Sequence, residues 1–107
     1  MPKPLLLASL FLFVCAGPAA AQSADPNLAR NAAASCSSCH GTNGVSVGGM
    51  PSLAGQSKAD LVRKMQDFKA GRTPGTIMPQ LAKGYTDEQI ELMAGWFAVQ
   101  KPCPTGD

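Results

Sequence analysis

The chain has 107 residues, of which 45% are hydrophobic and 6% aromatic, and its formal net charge is +2 at pH 7. This length allows one domain, and the near-neutral charge lacks the basic excess with which nucleic-acid-binding proteins hold phosphates. With one Trp, one Tyr and four Phe, so small a domain has few large side chains for a core and needs additional stabilisation.

The N-terminus has the three parts of a secretory signal peptide. Lys3 gives a short basic start, residues 5–14 form an apolar stretch too short to span a bilayer, and a run of small residues ends at Ala21. We therefore predict that residues 1–21 are a signal peptide cleaved after Ala21. Residues 22–107 then form the mature domain, with no membrane span, and the protein is exported to the periplasm.

The first helix predicted in the mature domain runs from Asn27 to about Ser35. Ser23 or Asp25 can cap it, and Pro26 suits its opening position, where the N–H that proline lacks is not needed. One face of this helix carries only small side chains, which allow a second helix to cross closely: Ala29, Ala32 and Ala33.

A Cys-x-x-Cys-His motif follows, formed by Cys36, Cys39 and His40. Two thiols about one helical turn apart can each bond to a vinyl group of one porphyrin, and the next residue then faces the iron. His40 is the only histidine, so a zinc site, which needs four Cys or His ligands, is poorly supplied. A thioredoxin-like dithiol belongs beside a βαβ pattern, and this sequence predicts no parallel sheet. The motif therefore predicts one covalently attached haem c.

Two further cysteines lie outside the motif. Cys15 belongs to the predicted signal peptide; lipoprotein acylation is the alternative, but the bulky Val14 before it fits that poorly. Cys103 lies in a Pro-rich C-terminal segment and is the odd cysteine of an exported chain. For Cys103, an intermolecular disulfide and an inert thiol on a mobile tail both stay open.

Two longer helices are predicted after the Gly-rich residues 41–49, which we interpret as a flexible turn region. Ser57 and Asp60 form a capping pattern at the start of the middle helix, and Gly71 ends it.

The C-terminal helix has an equivalent capping pattern in Thr86 and Gln89, and Pro102 closes it. Its apolar stripe consists of Ile90, Met93, Ala94 and Phe97, widened by Leu92, Trp96 and Val99. No segment alternates as a strand does. We predict an all-α fold of three to four helices around one haem.

A single histidine leaves one axial position of the iron open, and a methionine thioether is the soft ligand that electron-transfer haems use there. Met65 and Met93 lie on helical stripes and are most simply core residues. Met50 follows His40 too closely to reach the opposite haem face. Met78, in a non-helical segment between two prolines, is the best candidate, and an ordinary loop methionine is the alternative.

The chain thus has a helix running into Cys-x-x-Cys-His, a Gly-rich loop with a proline, a middle helix, a loop methionine and an amphipathic C-terminal helix. With the segments Pro51-Ser-Leu-Ala54 and Met93-Ala-Gly-Trp-Phe97, this order resembles the class I cytochromes c. Within them it is similar to the cytochrome subunits of flavocytochrome c sulfide dehydrogenases. The single motif would make this a monohaem version.

The resemblance implies a set of site residues. Haem would be bonded covalently to Cys36 and Cys39, with His40 and Met78 as the axial ligands of the iron. It also implies that the carbonyl of Pro51 accepts a hydrogen bond from the outer nitrogen of His40 and fixes the orientation of the ring.

The resemblance further implies an electron-transfer protein that is not an enzyme on its own. Its implied partner is a flavoprotein subunit that oxidises sulfide, carried on another chain because no Gly-x-Gly-x-x-Gly pattern for a flavin is present. A free periplasmic shuttle to a terminal oxidase or reductase is the alternative. Haem catalysis requires a vacant sixth position, against which Met78 argues. Lys69, Arg72 and Lys83 could form a docking rim, hold the propionates or be ordinary solvated charges.

Overall fold

The computed structural model describes Asp25 and residues 27–102, and all regular structure in this part of the chain is helical. The predicted all-α fold is confirmed. The elements in chain order are α1 (Leu28–Ala33), α2 (Ser37–His40), a 3-10 turn (Thr42–Gly44), α3 (Lys58–Lys69), α4 (Met78–Lys83) and α5 (Asp87–Ala98). No helix among these is long and apolar enough to cross a membrane. The predictions for the signal peptide, Ser23, Pro26 and Cys103 fall outside the described residues.

The two long helices begin at the predicted caps. The Ser57 hydroxyl accepts a hydrogen bond from the Asp60 backbone N–H at 3.1 Å, and α3 starts at the residue after Ser57. At α5 the arrangement is reciprocal: the Thr86 hydroxyl accepts from the Gln89 N–H at 3.2 Å, and the Gln89 side chain accepts from the Thr86 N–H at 2.9 Å. These bonds satisfy backbone donors that the first helical turn leaves without an intrahelical partner.

The central packing element is α5, which lies against both α1 and α3. The four residues of its predicted stripe are all buried, as expected: Ile90, Met93, Ala94 and Phe97. Ala33 of α1 is buried in the same cluster and Ala32 packs against it, so the small face of α1 does allow a close helix crossing. Val99 does not widen the stripe as predicted, because α5 ends at Ala98 and the Val99 residue is 76% exposed.

Two stretches differ from the sequence predictions. The first helix is interrupted after Ala33 by a turn at residues 34–36, so the Cys-x-x-Cys-His motif has the separate helix α2. Met78, predicted to be non-helical, is the first residue of α4. Pro79 is compatible with this helix because the N–H it lacks falls in the first turn, where no intrahelical bond is made. Ala82 is fully buried, and α4 packs against α3.

Candidate functional site

A largely apolar cavity of about 610 Å³ lies between α2, α3, the segment that precedes α4, α4 itself and α5. This volume is in the range of cavities that hold small-molecule ligands and cofactors. Both cysteines of the motif, His40 and Met78 line it. The apolar part of its wall includes Leu53, Leu61, Phe68, Ile77, Leu81, Ile90 and Phe97.

The two motif cysteines reach the cavity wall from α2 and the residue that precedes it. Cys36 is half-buried and Cys39 is exposed, and both are free thiols. Burial raises the pKa of the Cys36 thiol, and a hydrogen bond from Ser35 acts in the opposite direction. The Cys36 sulfur lies 4.0 Å from Sδ of Met93, the α5 residue that closes the cavity behind it. Both thiols are therefore available for a covalent bond on one side of the cavity.

His40, the last residue of α2, is buried, with 8% of its surface exposed. Its Nδ1 lies 2.7 Å from the carbonyl oxygen of Pro51, the contact that the resemblance implied. A carbonyl oxygen can only accept, so Nδ1 must carry the proton. The neutral ring then has its lone pair on Nε2, the atom that a histidine with this hydrogen-bonding pattern offers to a metal.

The Gly-rich segment, interpreted as a flexible turn region, is held by specific contacts in its first half. A Cβ on Gly41, which has φ +87°, would lie 1.9 Å from the Val45 carbonyl oxygen, so only glycine fits at that turn. The carbonyl of Gly44 accepts from the N–H groups of Leu53 and Ala54, at 2.8 and 3.1 Å. These bonds help to place Pro51 beside His40, and the glycines have a positioning role that sequence reasoning missed.

All four methionines of the described residues line the cavity. Met93 is buried in the core and Met65 packs against it, in agreement with the prediction that both are core residues. Met50 is exposed and adjoins Pro51, on the side of the cavity where His40 is held. Met78 is half-buried and comes from α4, an element that packs on α3. Met78 is thus the one methionine of these four that neither packs in the core nor lies on the same side of the cavity as His40.

Of the three cationic residues predicted near the loop, two have structural partners. The Lys69 ammonium donates to the Tyr85 carbonyl at 2.8 Å and to the Asp87 carboxylate at 2.9 Å. Arg72 pairs with Asp67 at 2.8 Å. Lys83 is exposed and has no ion pair within the described residues. Arg72 therefore fixes the loop after α3, and Lys69 fixes the turn between α4 and α5. Of these three cations, Lys83 is the one exposed to solvent without an ion pair.

The residues present fit a haem c. Two free thiols, a histidine held with Nε2 as its metal-binding nitrogen, a methionine on a separate helix and a mostly apolar wall line one cavity. These are the groups that haem attachment and two-sided ligation require. Sequence reasoning missed two polar residues of the wall, Ser35 and Tyr85. The available signals were the position of Ser35 beside Cys36 and the status of Tyr85 as the only tyrosine.

Comparison with known proteins agrees with this site. Residues 23–97 match the family model described as cytochrome C oxidase, cbb3-type, subunit III. The chain is 41% identical over 97 residues to the cytochrome subunit of sulfide dehydrogenase of Chlorobaculum tepidum, covering 88% of each chain. It is 32% identical to a cytochrome c4 of Stutzerimonas stutzeri, covering 90% of this chain and 50% of that one.

A thiosulfate dehydrogenase electron acceptor of Thiomonas intermedia is 31% identical, with 99% of this chain and 50% of the relative covered. The chain therefore spans about half the length of the latter two relatives and most of the first. The match extends over most of the described residues and includes the Cys-x-x-Cys-His motif on the cavity wall. The chain belongs to the family described as cytochrome C oxidase, cbb3-type, subunit III, and is a c-type cytochrome that carries haem c and transfers electrons.

Proposed function

We propose that this protein is a periplasmic electron carrier whose single haem is bonded to Cys36 and Cys39 and held between His40 and Met78. The observation that carries the proposal is the shared cavity, which both cysteines, the histidine and Met78 line. When bound, haem c supplies one-electron redox chemistry at its iron.

The chain's own residues favour electron transfer over catalysis. The Pro51 carbonyl keeps the His40 ring in one tautomer and one orientation. Met78 would fill the remaining axial position, so that no substrate reaches the metal. With haem bound, the apolar part of the wall would leave little space for water around it, which keeps the rearrangement between redox states small.

We further propose that the electrons come from a flavoprotein that oxidises sulfide. The supporting observation is the 41% identity to the cytochrome subunit of sulfide dehydrogenase, over 88% of both chains. That relative is similar in length to this chain, so the comparison involves one domain on each side. The flavin and the sulfur chemistry would then belong to a separate subunit, and this chain would receive the electrons one at a time.

A free shuttle is the second candidate, and a specific comparison favours it. The thiosulfate dehydrogenase electron acceptor of Thiomonas intermedia matches 99% of this chain, and its name describes a protein that accepts electrons from a separate enzyme. A carrier of this kind would exchange partners through transient contacts, which use small interfaces.

Purification of the exported protein separates the two candidates. The sulfide dehydrogenase assignment predicts co-purification with a flavoprotein, and haem reduction on addition of sulfide only when that flavoprotein is present. A monodisperse monomer with no such partner would contradict the subunit proposal and favour the shuttle.

The ligand set is tested by two matched methionine variants. Met78→Ala should lose the absorption features of thioether ligation in both redox states, because Met65 and Met93 pack in the core and Met50 lies on the side of His40. Met50→Ala should keep those features, although Met50 also lines the cavity. An unchanged spectrum in Met78→Ala, or a five-coordinate one in Met50→Ala, would show the axial assignment to be wrong.

Export is tested by intact mass. The proposal that residues 1–21 are removed predicts the mass of residues 22–107 plus one haem for protein recovered from the periplasm. Retention of the leader, or a mass with no haem, would contradict it.

A further inference from the structure

One hydrogen bond joins two parts of the cavity wall that are far apart in sequence. The hydroxyl groups of Ser35 and Tyr85 lie 2.7 Å apart, and both residues line the cavity. Ser35 directly precedes the first cysteine of the motif, and Tyr85 lies in the turn between α4 and α5. Within the described residues, no other hydrogen bond joins residues 27–55 to residues 70–85.

Hydrogen bonds to the backbone of Tyr85 fix the position of this residue. The Tyr85 carbonyl accepts a hydrogen bond from Lys69 of α3 at 2.8 Å, and Lys69 also donates to Asp87 at 2.9 Å. The Tyr85 N–H donates to the Ala82 carbonyl at 3.3 Å. The ring itself is half-buried and packs against the core cluster. The backbone of Tyr85 is therefore fixed to α3 and α4, and this fixes where its hydroxyl lies.

Ser35 links that hydroxyl to the haem-attachment segment. The Cys36 N–H donates to the Ala33 carbonyl at 3.1 Å, which ties the residue after Ser35 to α1. A hydrogen bond from the Ser35 side chain to Cys36 partly offsets the burial that raises the pKa of that thiol. The Ser35 hydroxyl thus lies between the first haem-attachment residue and Tyr85.

The rest of the packing holds α4 on α3 and not on the segment that carries His40. The tertiary contacts of α4 are mainly with α3, whereas α1 packs on α5. Two exposed apolar residues also line the cavity: Ile77, directly before α4, and Leu81 of α4. Side-chain packing alone therefore gives α4 little to hold it against the segment that carries His40.

We propose that Tyr85 and Ser35 form a clasp that holds the Met78-bearing helix against the haem-attachment segment, making Tyr85 a positioning residue for the bond between Met78 and the iron. This inference rests on the proposed function, because it takes Met78 as the axial ligand. With the clasp closed, α4 stays in place and Met78 leaves the iron rarely. With the clasp open, α4 can move away on α3, and small ligands reach the vacated position.

The test is the rate at which imidazole replaces Met78 in the oxidised holoprotein, followed by absorption in a stopped-flow instrument. Tyr85→Phe and Ser35→Ala should each speed replacement about fivefold, the effect of losing one ordinary hydrogen bond. The double variant should be no faster than either single one, because both remove the same bond. Ser35→Thr keeps a hydroxyl and should restore a rate near that of the wild type.

Ser38→Ala is the matched control, since Ser38 is an exposed serine of the same motif that does not line the cavity. It should exchange ligands at the wild-type rate. A wild-type rate in Tyr85→Phe would overturn the clasp, as would single effects that multiply in the double variant or a Ser35→Thr rate as fast as that of Ser35→Ala. Circular dichroism on each holoprotein checks that the fold is intact, and the conservative Ser35→Thr variant keeps the test usable if Tyr85→Phe unfolds.

Met78→Ala separates this proposal from the one it rests on. If the wild type already binds imidazole as fast as Met78→Ala does, Met78 is not a ligand and both proposals fail. If the wild type is slow, Met78→Ala fast and Tyr85→Phe slow, only the clasp fails.

Discussion

The two sides of the cavity are built differently. On one side, α5 lies against α1 with Ile90 fully buried, and Met93 and Phe97 are 4% and 2% exposed. On the other side, the apolar residues Ile77 and Leu81 of the α4 region are 51% and 45% exposed. One side is closed by its own side chains, whereas the other presents apolar surface to the space that a cofactor would occupy.

The α4 side is held mainly by polar contacts from α3. Arg72 pairs with Asp67 where the loop leaves α3, and Lys69 binds the Tyr85 carbonyl where α4 ends. These contacts fix the two ends of the Met78 segment without filling the space below it. The haem thus supplies the apolar surface that a domain with few large side chains lacks.

Removal of the covalent bonds between the haem and the two cysteines should have the largest effect, and it should affect the α4 side of the cavity more than the α5 side. In the double variant Cys36→Ser with Cys39→Ser, we expect α4 amides to lose protection from hydrogen exchange entirely, with an opening free energy near zero. Amides of α5 should keep measurable protection, because their packing against α1 uses side chains alone. Hydrogen exchange with mass spectrometry measures both. Simultaneous and equal loss in α4 and α5 would show that the two sides form one cooperative unit.

A cavity in the packing of α5 should cost stability, although Phe97 also forms part of the haem-cavity wall. The ring of Phe97 lies so close to Gly44 that a Cβ there would be 2.7 Å from Phe97 Cδ1. Phe97→Ala should lower the free energy of unfolding by about 4 kcal/mol. Val99→Ala is the control on the same helix end; Val99 is 76% exposed, and its loss should change stability by less than about 0.5 kcal/mol. Guanidinium titration of the holoproteins measures the free energy of unfolding of both variants. Equal losses in the two variants would contradict the statement that the α5 side is held by buried side chains.

The smallest expected effect concerns acid stability at the junction of α3 and α5. Hydrogen bonds from Gln66 and then Lys69 lower the pKa of Asp87 below its ordinary value of 3.8. A carboxyl with a lowered folded-state pKa stabilises the fold above pH 3.8, and that contribution is lost as pH falls through the folded-state value. Because 68% of the Asp87 side chain is exposed to solvent, the contribution is small.

Asp87→Asn should therefore show a shallower loss of stability below about pH 4 than the wild type does. Glu88→Gln is the matched control, since Glu88 is in the same helical turn and has no ion pair within the described residues. Urea midpoints measured from neutral to acid pH give the comparison. If the urea midpoint of Asp87→Asn falls with decreasing pH as steeply as that of the wild type, the contacts with Gln66 and Lys69 contribute nothing to stability.

The sequence predicted the long helices well because their signals are local. Ser57 and Thr86 each cap a helix three residues before their bonding partner, and the stripe of α5 repeats at helical spacing. It failed at α4, where Pro79 was interpreted as stiffening a loop although proline is also common in the first turn of a helix. It also failed at the break after Ala33, which no Gly or Pro in that stretch marks.

The candidate site divides in the same way. The spacing of Cys36, Cys39 and His40 is a local pattern with a chemical reason, so the sequence alone predicted haem attachment. The pairing of Ser35 with Tyr85 spans 50 residues and depends on how α3 presents the α4–α5 turn. No pattern along the chain records that distance, and only the folded structure brings the two hydroxyls together.

The bond between His40 and Pro51 has a consequence for how freely this chain can vary. The acceptor is a main-chain carbonyl, an atom that every amino acid possesses. Substitution at position 51 can therefore preserve the bond. An insertion or deletion between positions 40 and 44 would shift the Gly44 carbonyl that binds the Leu53 and Ala54 N–H groups, and with it the Pro51 carbonyl. Length should thus be restricted between positions 40 and 44, whereas the exposed residues 47–49 should tolerate changes in both composition and length.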